Sequence, residues 1–351
     1  MFVDVRKLRS TINCRALAWG HTDVSDDPGR FQSISQADFI RHKMSENARR
    51  ELLGPTEYNS EEAIAKREIK WISQTGISQR IFFDGTTSEL AAIAAKKCLA
   101  KAQILPRQLD VIIGGTNTGP GYPSLADHIK LALGDEAATA ACWDMTEACP
   151  VGAASILNAW GMIRSGIGRY VLVVCAEKAT TLAPVDNWGA SNLFGDAAFA
   201  VLLTAGDFES FEFFDGHSLP FDGNIDRVVK TASGFSQDGP SVHKFVGIQV
   251  VDTIVGAVAA AGIDPADIMH LVPHQPSGKT LDLLRRKLQN AWPSFVGRMY
   301  ENVSFTGNTS GASTGSIISR KIEEGIIKPG ELVVVTTFGS GLSIFNYGFR
   351  G

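Results

Sequence analysis

Residues 103–120 read QILPRQLDVIIGGTNTGP, and residues 262–279 read GIDPADIMHLVPHQPSGK. Each stretch runs through a proline turn and an apolar strand-like segment to a glycine-bearing exit. At an offset of 159 positions, Pro106 falls on Pro265, Leu109 on Ile268, Ile113 on Val272 and Gly119 on Gly278. The same offset carries Cys149 onto Asn308, Gly152 onto Gly311 and Ala153 onto Ala312, and sets Gly115 opposite His274. Self-similarity at a fixed spacing implies a duplicated structural unit. A pseudo-twofold fold made of two such units brings Cys149, His274 and Asn308 together near its axis, as a catalytic constellation requires.

Outward from these stretches, helix-length and strand-length runs alternate in both halves. The first half reads as helix 89–102, strand 109–113, helix 124–133, a short strand 142–145, a helix from Cys149 to about 163, strand 169–175, and a turn with a strand over 194–206. The second reads as helix 247–261, strand 268–272, helix 277–290, a strand near 300–304, a helix to about 324, strand 331–337 and a closing hairpin. This alternation predicts an α/β fold of stacked sheets with helix layers between and outside them. The N-terminal half, 1–205, carries Cys149. It includes an irregular extended region at about 20–64, in which ADFIRHKMSENARRELL reads as one helical stretch. The C-terminal half, 206–351, carries His274 and Asn308.

Composition narrows the function classes. A net charge of −4 gives no electrostatic case for nucleic acid or an anionic membrane. The opening MFVDVRKLRSTINC has no signal-length apolar run, and VGAVAAAG at 255–262 is too short to span a bilayer. Five cysteines without a CxxC pair point away from zinc and toward reduced thiols in a cytoplasm. No metal or cofactor is expected.

Three residues carry chemistry. Cys149 opens a helix in EACPVGAASIL, with Pro150 suited to a first helical position, and the helix dipole there favours a thiolate. Cys14, Cys98, Cys142 and Cys175 read as packing positions instead. His274 follows an apolar strand in LVPHQPSG, at the strand end where α/β folds place functional groups. His21, His42 and His217 lie in polar segments read as exposed. Asn308, in TGNTSGAS, suits a helix cap taken alone; its offset from Cys149 and its distance of 34 residues from His274 assign it to the site.

The residues from about 65 to 351 resemble the thiolase superfamily, in its β-ketoacyl-ACP synthase III-like branch. The resemblance rests on EACPVGAA, PHQPS, GNTSGAS, FGDAA at 194–198 and FGSG at 338–341. It implies a five-layered αβαβα architecture and a homodimer. It also implies an acyl-enzyme at Cys149, with neutral His274 and Asn308 holding an enolate oxygen after a malonyl-type thioester loses CO₂. The backbone N–H groups of Cys149 and Ser340 form the implied oxyanion hole. Tyr122 matches a position that reaches into the partner's acyl pocket, or else simply packs at the interface.

The chain departs from that pattern at several points. Glu147 stands where a small residue is usual, either as a solvated carboxylate or acting on substrate. Gln74, three residues after Trp71, and Trp188 replace two arginines expected near the entrance for coenzyme A. Phe199 enters a normally small site and is expected to contact substrate. These departures point to specialised metabolism, with substrates on acyl carrier protein or coenzyme A. Two other functions compete with condensation: acyl transfer from Cys149 to an oxygen or nitrogen nucleophile, and a non-catalytic subunit of a heteromeric synthase. Intact Asn308 argues against the first, and the complete Cys–His–Asn set against the second.

Overall fold

A computed structural model describes residues 1–7, 11–136, 138–219, 225–231 and 234–351. One sheet has five strands in the spatial order Asn13–His21, Asp196–Gly206, Tyr170–Lys178, Val111–Gly115, Ala141–Met145. The other has six, in the order Phe2–Asp4, Phe211–Ser218, Ser343–Arg350, Leu332–Gly339, Ile268–Pro273, Arg298–Met299. With the short first strand set aside, both sheets use the same strand order and the same pattern of parallel and antiparallel pairs. The sequence repeat is thus a repeat of topology.

Alternation along the strands builds the layers, because successive side chains point to opposite faces. In Tyr170–Lys178, Val171, Val173 and Cys175 face a central layer, while Leu172, Val174 and Ala176 face outward. In Leu332–Gly339, Val333 and Val335 face the same central layer, while Leu332 and Val334 face the opposite exterior. The central layer holds the helices Val151–Arg164 and Ser313–Glu323. Helices Thr87–Ala102 and Leu125–Leu133 cover one outer face; Gly239–Ala260 and Gly278–Ala291 cover the other. The result is the expected five-layered αβαβα arrangement. Each fully buried Val, Leu or Ile in it stabilises the fold by roughly 1.5–3 kcal/mol.

Some expectations are corrected. The stretch read as one helix is two, Gln36–His42 and Glu46–Leu53, because the Ser45 hydroxyl accepts from Ala48 N–H and starts a new helix. Only Arg298–Met299 is a strand near 300, and Val303–Thr306 is a helical turn. The helical run Gly239–Ala260 is 22 residues, long and apolar enough by length and composition to cross a membrane. In the fold its Phe245, Val250, Ile254 and Val258 pack against the second sheet. His21 is buried, not exposed, with Nδ1 2.9 Å from Ser319 Oγ.

Candidate active site

Cys149 follows the edge strand Ala141–Met145 and stands just ahead of helix Val151–Arg164. The preceding Ala148 has φ +47°, a left-handed conformation unusual for a residue with a Cβ. Asn117 Nδ2 donates to the Ala148 carbonyl at 2.8 Å and holds this turn. Gly307, which precedes Asn308, has φ +72°. In both halves, then, the reactive residue follows a residue with positive φ. The Cys149 residue is half-buried and its thiol is enclosed. Burial pushes the thiol up to about 12, with Glu177 adding in the same direction and the Ser310 hydroxyl, 3.9 Å from Sγ, opposing. Burial thus opposes the helix start, whose dipole favours the thiolate.

His274 sits at the end of Ile268–Pro273, its backbone N–H donating to Thr336 O at 2.8 Å. The neighbouring Gln275 is fully buried. Its amide donates to Pro273 O and Tyr300 O, and its carbonyl accepts from Asn302 and Val303 N–H. This staple fixes the turn that aims the imidazole. The ring meets Phe338 edge-on, with centroids 5.3 Å apart. Nδ1 lies 3.0 Å from Ser313 Oγ. Burial lowers the imidazole to about 3, so it is neutral at physiological pH. Where the Ser313 O–H donates to Nδ1, the proton sits on Nε2 and the ring is a neutral donor toward the cavity.

Asn308 is clamped by the other half. Its N–H donates to Leu193 O at 2.8 Å, and its carbonyl accepts from Gly195 N–H at 3.1 Å. This explains the FGDAA turn: a Cβ on Gly195 would lie 1.9 Å from Thr306 O, so only glycine permits the approach. Asp196 then anchors the turn by accepting from Phe83 and Thr180 N–H. The Asn308 side-chain oxygen accepts from Ser310 N–H at 2.9 Å. Among the described residues, Nδ2 has no protein partner, so its N–H bonds are available to a ligand.

Cys149, His274 and Asn308 line one cavity of about 430 Å³, together with Gly339 and Ser340. A Cβ on Gly339 would lie 3.0 Å from Cys149 N, so the FGSG turn presses directly on the cysteine backbone. A second cavity of about 370 Å³ shares Phe194, Gln237, Val242, Pro276 and Asn308 with the first. Trp71, Gln74, Trp188 and Lys279 line it. The residues expected to bind substrate thus separate into groups. Trp71 and Trp188 are in this outer cavity. Glu147 and Tyr122 line neither cavity, and Tyr122 is fully exposed. Phe199 is 1% exposed and outside both cavities. Its ring lies in the central layer, where Gly152 and Gly315 leave room for it.

Several site residues were not anticipated from sequence. Glu177 is fully buried at the end of Tyr170–Lys178. Its carboxylate accepts from Asn117 N–H at 3.0 Å, Thr118 Oγ1 at 3.1 Å, Ser310 Oγ at 3.2 Å and Asn117 Nδ2. A glutamate in the apolar run YVLVVCAEK was the available signal. Arg80 is also fully buried, its guanidinium carbon 4.0 Å from the Phe39 ring centroid. It donates to the carbonyls of Ser191 and Phe194 and so supports the turn that clamps Asn308.

Comparisons with known proteins agree with this geometry. Residues 143–218 match the family model for 3-oxoacyl-[acyl-carrier-protein (ACP)] synthase III. Residues 258–347 match the model for its C-terminal region. The beta-ketoacyl-[acyl-carrier-protein] synthase III of Gloeobacter violaceus is 31% identical over 307 residues, covering 82% of this chain and 91% of that one. The protein of the same name from Rhodobacter capsulatus is 32% identical over 290 residues, covering 78% and 88%. Among solved structures, 3-oxoacyl-[acyl-carrier-protein] synthase III from Aquifex aeolicus superposes with a TM-score of 0.79 at 23% identity, covering 97% of this chain and 100% of that one. Xanthomonas campestris OleA with bound lauric acid and lauroyl-CoA gives a TM-score of 0.79 at 18% identity, covering 97% and 99%. At these identities the structural matches speak to the fold.

Proposed function

Because this chain belongs to the β-ketoacyl-[acyl-carrier-protein] synthase III family, we propose that it joins an acyl group carried on Cys149 to a malonyl-type thioester with loss of CO₂. The observation that carries this reading is the Asn308 amide. Its oxygen is occupied by Ser310 N–H, which leaves Nδ2 to donate into the cavity that holds Cys149 and His274. Two neutral donors, Asn308 Nδ2 and His274 Nε2, suit an enolate oxygen, and each such donor stabilises a transition state by about 3 kcal/mol. Acyl transfer to an oxygen or nitrogen nucleophile forms no enolate and has no use for this pair of donors.

In the first step Cys149 attacks a thioester carbonyl. The N–H groups of Cys149 and Ser340 receive the carbonyl oxygen, with Gly339 allowing the two backbones to meet. In the second, the malonyl-type carboxylate departs as CO₂ and the carbanion attacks the acyl-Cys149 carbonyl. The outer cavity receives the carrier's arm. Among the described residues, Lys279 is the only Lys or Arg lining it, while Gln74 and Trp188 bring no charge. A coenzyme A diphosphate is normally held by cationic forks. This favours an acyl carrier protein for at least one substrate and a role in specialised metabolism. Tyr122 reaches an acyl pocket only if a second copy of the chain supplies or receives it, which fits a homodimer. Intact-mass measurement after incubation with acyl thioesters tests the first step. Acylation is expected in the wild type and absent in Cys149→Ala; an acylated Cys149→Ala protein would move the nucleophile elsewhere.

A further inference from the structure

We propose that Glu177 is the acceptor of the Cys149 thiol proton, reached through the hydroxyl of Ser310. This rests on the reading of Cys149 as the nucleophile and adds the route by which it is activated.

The cysteine needs a base. Its thiol is neutral at rest, and a His274 whose Nδ1 accepts from Ser313, 3.0 Å away, keeps its proton on Nε2 and has no open lone pair to offer. Ser310 supplies the connection. Its Oγ lies 3.9 Å from Cys149 Sγ and 3.2 Å from Glu177 Oε1. Ser310 holds φ +49°, a conformation that a non-glycine residue keeps only when its surroundings enforce it. The enforcing contacts are visible. Its N–H is fixed on Asn308 Oδ1, and Asn117 Nδ2 stands 3.4 Å from its Oγ. Gly311 leaves the space, since a Cβ there would lie 2.3 Å from Val151 Cγ1 and 3.2 Å from Glu177 Oε1.

Glu177 is built to accept a proton. Its donors are all neutral, and among the described residues no cation pairs with it. The titratable groups against it are Cys149 and Cys175. Of the cations on adjoining segments, Lys178 donates to Gly85 O, and Lys230, which lines the Cys149 cavity, donates to Asn117 O rather than to Glu177. Burial raises the Glu177 carboxyl to about 7, against the lowering from its hydrogen bonds.

The proton balance closes over a full turnover. As the Sγ–carbon bond forms, the thiol proton passes to Ser310 Oγ and the Ser310 proton passes to Glu177. The carbon–sulfur bond to the carrier breaks, and the carrier thiolate takes a proton from water. When condensation later breaks the acyl–Sγ bond, the cysteine thiolate recovers its proton from Glu177 by the reverse path.

The test is the pH dependence of Cys149 alkylation by iodoacetamide, read by peptide mass. This reaction requires no condensation, so its outcome is independent of how malonyl-type thioesters react. Near pH 7.5, Ser310→Ala and Glu177→Gln should each slow alkylation by roughly 100-fold, the scale of general-base contributions. The double variant should lose little more, and Glu177→Asp should recover part of the rate. The wild-type profile should carry an inflection near neutrality that Ser310→Ala lacks. If Glu177→Gln disturbs folding, Ser310→Ala decides alone. Alkylation of Ser310→Ala, or of folded Glu177→Gln, at the wild-type rate or faster would overturn the relay, since a carboxylate that merely repels a thiolate predicts acceleration.

Discussion

Gly152 and Gly311, 159 positions apart, touch: a Cβ on Gly152 would lie 2.7 Å from the Gly311 carbonyl oxygen. Each belongs to the start of a central helix, three residues after Cys149 and Asn308 respectively. The crossing of two matching helix starts is what sets the cysteine of one half beside the asparagine of the other. Pro273 and His274 complete the set from the strand end of the second half.

The same close packing governs Phe199. A Cβ on Gly315 would stand 2.3 Å from the Phe199 ring, so the ring and the glycine exchange volume. Gly315→Ala should destabilise the fold by about 1–3 kcal/mol through overpacking. Phe199→Leu added to it should recover part of that loss. Denaturant melts of the two single variants and the double variant measure the coupling, and additive effects would mean the two residues do not share this space.

Ser313 fixes the His274 tautomer, so its removal should separate the two half-reactions. Ser313→Ala is expected to keep Cys149 acylation within about twofold and to lower CO₂ release by roughly 10-fold, the effect of about 1.4 kcal/mol. Single-turnover assays of each step check this. Because the imidazole is lowered to about 3, protonation of His274 should produce no fall in CO₂ release between pH 8 and 5, by about two units of margin. In stability terms, its neutral burial contributes fully above the unfolded value of 6.5 and is lost as pH falls toward 3.

Glu177 should act on stability in the opposite direction. Its folded carboxyl lies near 7 against 4.5 for an ordinary glutamate. Its contribution is therefore full below 4.5 and is lost as pH rises through about 7. Replacement by Gln removes this term. The stability of the wild type relative to Glu177→Gln should fall across that window, as measured by urea melts at a series of pH values. A constant difference would show that the carboxyl is not perturbed.

The outer cavity makes carrier preference measurable. Wild-type kcat/KM is expected to be higher with an acyl carrier protein thioester than with the coenzyme A thioester of the same acyl group, for donor or extender. Gln74→Arg should narrow the gap by strengthening coenzyme A binding, by about 10-fold for one charge-assisted contact. A higher wild-type kcat/KM with coenzyme A for both substrates would remove the carrier-protein assignment.

Much of this was legible in the sequence because duplication is a linear signal. The offset that aligned Pro106 with Pro265 also aligned Cys149 with Asn308, and both sheets use one strand order. The apolar runs at 169–175 and 331–337 marked strands buried on both faces. What escaped was set by contacts remote in sequence. The ring of Phe199 turns into the central layer because Gly315, far along the chain, leaves room. Asn117 and Ser310 have ordinary polar surroundings in sequence, and only the meeting of three loops at Glu177 gives them a role. The break before Ser45 was a cap signal hidden inside a helical pattern. For the Cys149 thiol, the helix start is visible in sequence and the burial that opposes it is not.

The most direct test of the condensation is CO₂ release from a malonyl-type thioester by enzyme already acylated on Cys149, compared between wild type and Asn308→Ala. Wild-type protein should release one CO₂ per ketoacyl product formed. Asn308→Ala should remain acylated while CO₂ release falls by about 100-fold or more, the cost of one lost oxyanion donor. Condensation by Asn308→Ala at the wild-type rate, or a wild-type protein that clears its acyl group without releasing CO₂, would contradict the account.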